Sequence, residues 1–201
     1  MTGAADFGAL LRAIAHHDHD AALALLAESP SLSTRSLARN DEFFLAERFA
    51  QIYAGDTALH AAAFSYDPEM AGALIVRGAA IRARNRRGAE PLHAAVIGNP
   101  NAPTWNPVAQ CRTIEFLIGS GADPNAQAAG GVTPLHRAVR NRCSAAVEAL
   151  LRAGADSRLR NDSGSTAADL AAVPTGRGGS GSAQAKAEQR IILDLLDAGV
   201  K

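Results

Sequence analysis

Between residues 131 and 160, apolar side chains recur at helical spacing in two short runs. The first run contains Leu135, Ala138 and Val139. The second run follows a polar break and contains Ala146, Val147, Leu150 and Leu151. This pattern predicts two helices, each with one apolar face, joined by a turn.

The residues that bound these runs favour the same two helices. Thr133 is a good N-cap because its hydroxyl accepts a hydrogen bond from an unpaired first-turn amide, and Pro134 stands at the first helical position, where a missing N–H costs nothing. Gly154 follows the second run, where a helix end often needs a residue that tolerates positive φ. One helix pair of this kind cannot bury both of its faces, so the pattern predicts further copies beside it.

Three other segments repeat this sequence motif in full or in part, and they begin at Gly55, Gly88 and Gly164. The period is 33 residues from His60 to His93 and again from His136 to Asp169. A unit of this length that carries Thr-Pro-Leu-His resembles the ankyrin repeat. The resemblance implies an all-α ankyrin-repeat solenoid of stacked helix-turn-helix units with short hairpin-like fingers, and about five repeats including degenerate terminal caps.

The repeat pattern divides the chain as a single ankyrin-repeat domain over residues 1–201. We expect an N-terminal capping repeat at 6–38, full repeats at 55–87, 88–130 and 131–163, and a C-terminal capping repeat at 164–201 with a Gly/Ser-rich insertion. That insertion, Pro174–Ala183, is interpreted as a flexible link and not a phosphate loop, because it lacks the Gly-Lys-Ser/Thr ending.

Residues 39–54 exceed the ordinary repeat and form an insertion. Asn40 and Asp41 are candidate caps for a helix whose apolar face is Leu45, Phe49 and Ile52. Aromatic residues are concentrated here, and either they pack in the core, which we favour, or they form an exposed binding patch. These residues are Phe43, Phe44 and Tyr53.

A second insertion follows Ile97 and is rich in proline and asparagine, which predicts a loop over Asn99–Pro107. Trp105, the only tryptophan, lies within it. Two interpretations stay open: the indole anchors its own loop, or it is presented to a partner.

Composition excludes several classes of partner. The 201 residues are 47% hydrophobic with a formal net charge of +0, so no global attraction to nucleic acid or membranes is expected. No apolar run is long enough to span a membrane, and no signal-peptide pattern opens the chain.

Cys111 and Cys143 are expected to be reduced, in a cytoplasmic protein. The 18 Arg against 2 Lys suggest a bacterial source.

One cluster, His16-His17-Asp18-His19-Asp20, contains the ligand types that zinc prefers. Neighbouring side chains point in different directions, however, and the sequence shows no further ligand near them. We interpret the cluster as a solvated turn in which Asp18 or Asp20 caps the following helix, and we predict no metal and no cofactor.

The recurrent Thr and His residues are assigned to structure, since the resemblance implies that they join one repeat to the next by hydrogen bonds. No Ser or Cys nucleophile accompanies these histidines, so no catalytic residues and no enzyme activity are predicted. The resemblance implies instead a protein-binding module, a scaffold, adaptor or inhibitor, that acts as a monomer through its fingers and concave face. Carried over by position, the contact residues are Asp56, Phe64, Ser65, Arg84, Arg86, Arg87, Ile97, Gln127, Ala129, Val132, Arg140, Asn141, Arg160, Asp162 and Ser165, with Trp105 from the loop.

Charge is distributed unevenly along the chain. Residues 77–160 hold 12 basic and 5 acidic side chains, whereas residues 1–60 hold 4 basic and 8 acidic ones. This predicts a protein partner with an acidic surface, gripped by Arg84, Arg86 and Arg87. The alternative is a nucleic acid or another anionic ligand on the same arginines, which the overall neutrality and the absence of interleaved aromatic residues disfavour.

Overall fold

The computed structural model describes residues 3–45, 50–102, 105–173 and 182–198. The chain forms two compact units, residues 1–95 and 96–201. The boundary lies after Ala95, inside the predicted repeat 88–130. The division into one domain with the repeat bounds given above stays a prediction.

The first unit consists of paired helices and one small hairpin. The helices are α1 (Gly3–Ala15), α2 (His19–Glu28), α3 (Ala58–Phe64), α4 (Pro68–Val76) and α5 (Pro91–Ala95), with 3-10 turns at Pro30–Ser33 and Arg39–Asp41. Helix α3 packs against α1, α4 and α5. The core that results contains Phe7, Leu10, Leu11, Ile14, Leu59, Met70, Leu74 and Leu92, all buried.

The insertion at 39–54 forms a hairpin, so the prediction of a helix there is wrong. Strand β1 (Phe43–Leu45) pairs antiparallel with β2 (Ala50–Ile52), and Phe43 lies opposite Ile52. The aromatic and β-branched residues of this segment favour extended backbone. The amide of Gln51 donates to the carbonyl of Phe43, which adds a further bond across the pair. The side chain of Phe44 and residues 46–49, which include Phe49, lie outside the described part of the chain.

The second unit repeats the same helix pairing. Its helices are α6 (Pro107–Gly119), α7 (Pro134–Arg140), α8 (Ser144–Arg152), α9 (Ala167–Ala172) and α10 (Ala183–Ala198). Helix α8 packs against α6, α7 and α10, and α9 packs against α7 and α10. The predicted apolar stripes are buried at Leu135, Ala138, Val139, Ala146, Val147 and Leu150, and Leu151 is half-buried. Of the predicted Gly/Ser-rich link, residues 174–181 lie outside the described part.

The boundaries of α7 and α8 follow the sequence signals. Thr133 caps α7 by accepting a hydrogen bond from the amide of His136, and Pro134 is its first residue. Gly154 follows α8 with φ of 87°. The predicted all-α ankyrin-repeat fold class is therefore confirmed. Among the described helices, none has both the length and the apolar composition that crossing a membrane requires.

Candidate functional site

His60 joins its own repeat to the next one. Its Nδ1 accepts a hydrogen bond from the amide of Thr57 at 3.2 Å and lies 3.0 Å from the Thr57 hydroxyl. Its Nε2 lies 3.0 Å from the carbonyl oxygen of Ala89, 29 residues further along. Because a carbonyl only accepts, the proton of a neutral imidazole lies on Nε2.

His136 makes the corresponding bonds in the second unit. Its Nδ1 lies 2.8 Å from the hydroxyl of Thr133, and its Nε2 lies 3.0 Å from the carbonyl oxygen of Ser165. Burial lowers the pKa of His136, which favours the neutral ring. In the last repeat Asp169 replaces the histidine, and its Oδ2 accepts from the amide of Thr166 at 2.8 Å. The structural role predicted for these residues is confirmed.

The first finger is the turn over residues 80–90, and its arginines bind carboxylates of the same chain. Nε of Arg84 lies 3.2 Å from Oε1 of Glu90, and Nε of Arg82 lies 3.5 Å from Oε2. Glu90 is 1% exposed, whereas both arginines are about half exposed to solvent. Arg84 is therefore paired internally on one side and accessible on the other.

The hairpin of the insertion engages the other two predicted arginines. Arg86 donates to both carboxylate oxygens of Glu42. The amide of Ala54 and the guanidinium of Arg86 lower the pKa of Glu42. Arg87 donates from Nη1 to the Tyr53 hydroxyl at 3.1 Å, and the guanidinium carbons of Arg86 and Arg87 lie 5.0 and 5.2 Å from the centre of the Tyr53 ring.

Two further predicted contact residues of the first unit are buried. Asp56 is 6% exposed and accepts hydrogen bonds from the Tyr53 amide and the Asn85 side chain at 2.7 and 2.8 Å. Ser65 is 3% exposed. Phe64, at the end of α3, is half-buried. Asp56 thus helps hold the first finger to the start of its repeat.

The second unit has two fingers, residues 122–132 and residues 155–165. They lie side by side, since the amide of Asp162 donates to the carbonyl of Gly130 at 2.9 Å. Of the predicted contact residues, Gln127, Ala129 and Asp162 are exposed on these fingers, and Arg140 is exposed at the end of α7. We call these four residues the finger surface. Arg160 is also exposed and donates to the carbonyl of Gly164, while Val132, Asn141 and Ser165 are half-buried.

Trp105 is half-buried and holds its own loop. Its Nε1–H donates to Oε1 of Gln110 at 3.0 Å, and the Gln110 amide donates in turn to the carbonyl of Ile97 at 3.4 Å. A side chain added at Gly98 would meet the indole at 2.8 Å, so the ring lies directly against that backbone. These contacts support the anchor interpretation. Ile97 itself is half-buried.

Arg142 is a structural residue that the sequence analysis missed. It is 2% exposed and has φ of 59°. Its guanidinium donates to the carbonyl oxygens of Ala171 and Val173 at 3.1 and 2.5 Å, beside the end of α9. Burial lowers its pKa from the ordinary value of arginine. The sequence signal is faint, because only the position of Arg142 two residues after α7 distinguishes it from the exposed arginines.

A carboxylate distant in sequence meets the histidine cluster. Oδ2 of Asp67 lies 3.2 Å from Nδ1 of His17 and 2.7 Å from Nε2 of His19. The hydrogen bond to Asp67 raises the pKa of His19. In the described part of the chain, these three residues form a group whose ligand atoms lie within 4.8 Å of one another. The predicted capping by Asp18 is confirmed, but no local pattern indicated the contact with Asp67.

Comparisons with known proteins agree with this architecture. Residues 54–86 match the family described as "Ankyrin repeat", and residues 118–171 match "Ankyrin repeats (many copies)". The chain is 33% identical over 117 residues to mouse "Ankyrin repeat and SOCS box protein 16", which covers 57% of this chain and 25% of that protein. It is 34% identical over 90 residues to human "Protein fem-1 homolog A", which covers 43% of this chain and 14% of that protein.

These relatives are mammalian, so they do not support the bacterial source inferred from the arginine content. The chain spans a quarter or less of their length. Both family matches nevertheless name the repeat that the sequence pattern predicts. Residues 54–86 and 118–171, less than half of the chain, thus match ankyrin-repeat families, and the fold of the described residues agrees with them.

Proposed function

From these ankyrin-repeat matches, we infer a non-enzymatic module that binds a partner protein, as a scaffold, adaptor or inhibitor. The observation that carries this proposal is the use of the recurrent histidines. His60 and His136 each use Nδ1 to cap their own helix and Nε2 to join the next repeat. These two imidazoles are therefore committed to structure, while side chains at the finger tips are exposed.

The finger surface of the second unit is the contact region we propose. Gln127, Ala129 and Asp162 lie on two fingers joined by a backbone hydrogen bond, so they form one fixed row. Such rigidity lowers the conformational entropy lost on binding. Arg140 adds an exposed cation that can pair with a partner carboxylate.

Arg84, Arg86 and Arg87, the arginines predicted to contact a partner, have a different role in this proposal. Arg84 and Arg86 already bind Glu90 and Glu42, so an acidic partner must share their guanidinium groups or displace those carboxylates. The same pairing weakens the nucleic-acid alternative, since phosphates would meet the same competition. A gel-shift assay at about 150 mM salt is expected to show no shifted band, because affinity for nucleic acid at this salt depends on the number of cations available to neutralise phosphates.

Photo-crosslinking tests the proposed surface. A photoreactive amino acid at Gln127 or Asp162 is expected to trap one partner protein in an extract of the source organism. The control places it at Glu148, which is exposed on α8 outside the fingers. A crosslink at Glu148 alone would contradict the finger surface, and no crosslinked protein from any position would contradict the binding function.

We further propose that the protein works as a monomer in a reducing, cytoplasmic compartment. Both cysteines are free thiols, and burial raises the pKa of Cys143 to about 12. A thiol of that kind is poorly reactive and suits a packing role. Light scattering at about 1 mg/mL tests the oligomeric state, and secretion in the source organism would contradict the compartment.

A further inference from the structure

Two turns of the first unit meet at one buried carboxylate oxygen. The turn between α1 and α2 provides His17 and His19, and the turn between α3 and α4 provides Asp67. The turns are copies of one another: His17 and Tyr66 have φ of 57° and 58°, and each is followed by an aspartate that caps the next helix. Stacking the two repeats brings these turns together.

The carboxylate is oriented by the helix that it caps. Oδ1 of Asp67 accepts a hydrogen bond from the amide of Met70 at 2.9 Å, which directs Oδ2 towards the histidines. Asp67 is 4% exposed, whereas His17 and His19 are 46% and 35% exposed. A fixed acceptor therefore lies under two rings that solvent can reach, which gives an ion an entry path.

The three ligand atoms match the chemistry of a transition-metal centre. Imidazole nitrogen and carboxylate oxygen bind Zn²⁺ at about 2.0–2.2 Å, so ligand atoms of one ion lie about 3 Å apart. The observed separations of 2.7 and 3.2 Å from Oδ2 of Asp67 agree with this. Oε2 of Glu69 lies 3.9 Å from the other ring nitrogen of His19, where a carboxylate can orient a metal-binding imidazole.

We propose that His17, His19 and Asp67 bind one divalent first-row transition-metal ion, with Zn²⁺ the best match. Nδ1 of His17, Nε2 of His19 and Oδ2 of Asp67 are the ligands, and water completes the coordination. Each ring nitrogen must present its lone pair, so a hydrogen that it carries moves to the other ring nitrogen or to solvent.

Such an ion links the N-terminal capping repeat to the first full repeat. His17 and Asp67 are 50 residues apart, so the complete ligand set exists only in the folded chain. An ion that binds the folded chain preferentially raises its stability by mass action. The site is thus a metal-dependent clamp between two adjacent helix pairs, α1–α2 and α3–α4.

Calorimetric titration of untagged, chelator-stripped protein with Zn²⁺ tests the clamp. We expect one ion per chain and a melting temperature that rises with Zn²⁺. The variants His17→Asn, His19→Gln and Asp67→Asn are each expected to weaken binding at least about tenfold. Asparagine tolerates positive φ at position 17 and is an equally good N-cap at position 67, so these changes preserve the backbone.

His16→Gln is the matched control, because it removes a histidine of the same turn that is not one of the three ligands. It is expected to retain wild-type affinity and the Zn²⁺-dependent rise in melting temperature. The proposal would be overturned if the wild-type protein showed no stoichiometric binding at about 100 μM Zn²⁺. It would also be overturned if the His17 and His19 variants still bound the ion stoichiometrically. If Asp67→Asn fails to fold, the two histidine variants decide the question.

Discussion

Arg84 donates from Nε to Oε1 of Glu90 across 3.2 Å, and Glu90 occupies the position of the N-capping threonine in the neighbouring repeats. A buried carboxylate paired with two half-exposed arginines thus replaces the hydroxyl of Thr57 and Thr133. Buried ion pairs often contribute no net stability relative to well-packed neutral groups, because both charges lose hydration. Glu90 therefore holds the first finger in its conformation but adds little to the stability of α5.

Glu90→Thr is expected to leave the free energy of unfolding unchanged or to raise it by up to about 1 kcal/mol, because threonine restores a hydroxyl cap and removes a buried charge. Removing the cations instead, as in Arg82→Gln with Arg84→Gln, is expected to lower the free energy by about 2 kcal/mol, since Glu90 is then left buried without a counter-ion. Urea unfolding of the single, double and combined variants measures both effects. Glu90→Thr should rescue the arginine variant, and failure to do so would contradict this account.

Gly98→Ala is expected to destabilise the second unit by about 2 kcal/mol, because the added methyl group meets Sγ of Cys143 at 2.7 Å and the Trp105 indole at 2.8 Å. Gly119→Ala is the matched control. A methyl group at Gly119 meets nothing within 4 Å, and alanine favours the helix, so stability should rise by about 0.5 kcal/mol. Denaturant midpoints and Trp105 fluorescence measure both variants, and equal effects would contradict the packing of the loop.

The stability of the second unit is expected to fall below pH 6.5 because of His136. Burial lowers its pKa in the folded state below 6.5, so the unfolded chain binds more protons in the window just below that pH. The stabilisation is complete above pH 6.5 and is lost as the pH falls through the folded-state pKa. His136→Gln should show a weaker pH dependence, with urea midpoints compared at pH 7.5 and 5.5. Identical pH dependence in the two proteins would contradict a buried neutral imidazole.

Arg142→Lys is expected to lower the free energy of unfolding by about 2 kcal/mol, although the charge is retained. A lysine ammonium cannot reproduce the fork by which Arg142 donates to the carbonyls of Ala171 and Val173. Arg140→Lys, at an exposed position two residues earlier, should change stability little. Thermal unfolding distinguishes the two substitutions.

The sequence predicted the features that depend on residues close together in the chain, such as helix caps and helix ends. Thr133 and His136 are three residues apart, and their capping interaction follows from local spacing. The place of Gly154 likewise follows from the end of a single helix, α8. The ion pair between Arg86 and Glu42 joins residues 44 apart, and no local pattern signals it.

Two features lay outside the short-range pattern for the same physical reason. The spacing of Leu45 and Ile52 suggested a helix face, but pairing between β1 and β2 decided the conformation. The histidine cluster looked incomplete because Asp67 reaches it only when two repeats stack. Both outcomes depend on tertiary contacts, which a single sequence does not encode in its short-range pattern.

Among the residues that the structure describes, three other than glycine have positive φ, namely His17, Tyr66 and Arg142, and each lies in a turn between two paired helices. Glycine and asparagine tolerate positive φ better than other residues, so a redesign for stability would favour them at such positions. In this chain the change to glycine or asparagine would relax the backbone. It would also remove the imidazole of His17 beside Asp67 and the guanidinium of Arg142 that bonds to the end of α9. An engineer who uses this chain as a scaffold should therefore keep His17 and Arg142 and regularise other positions.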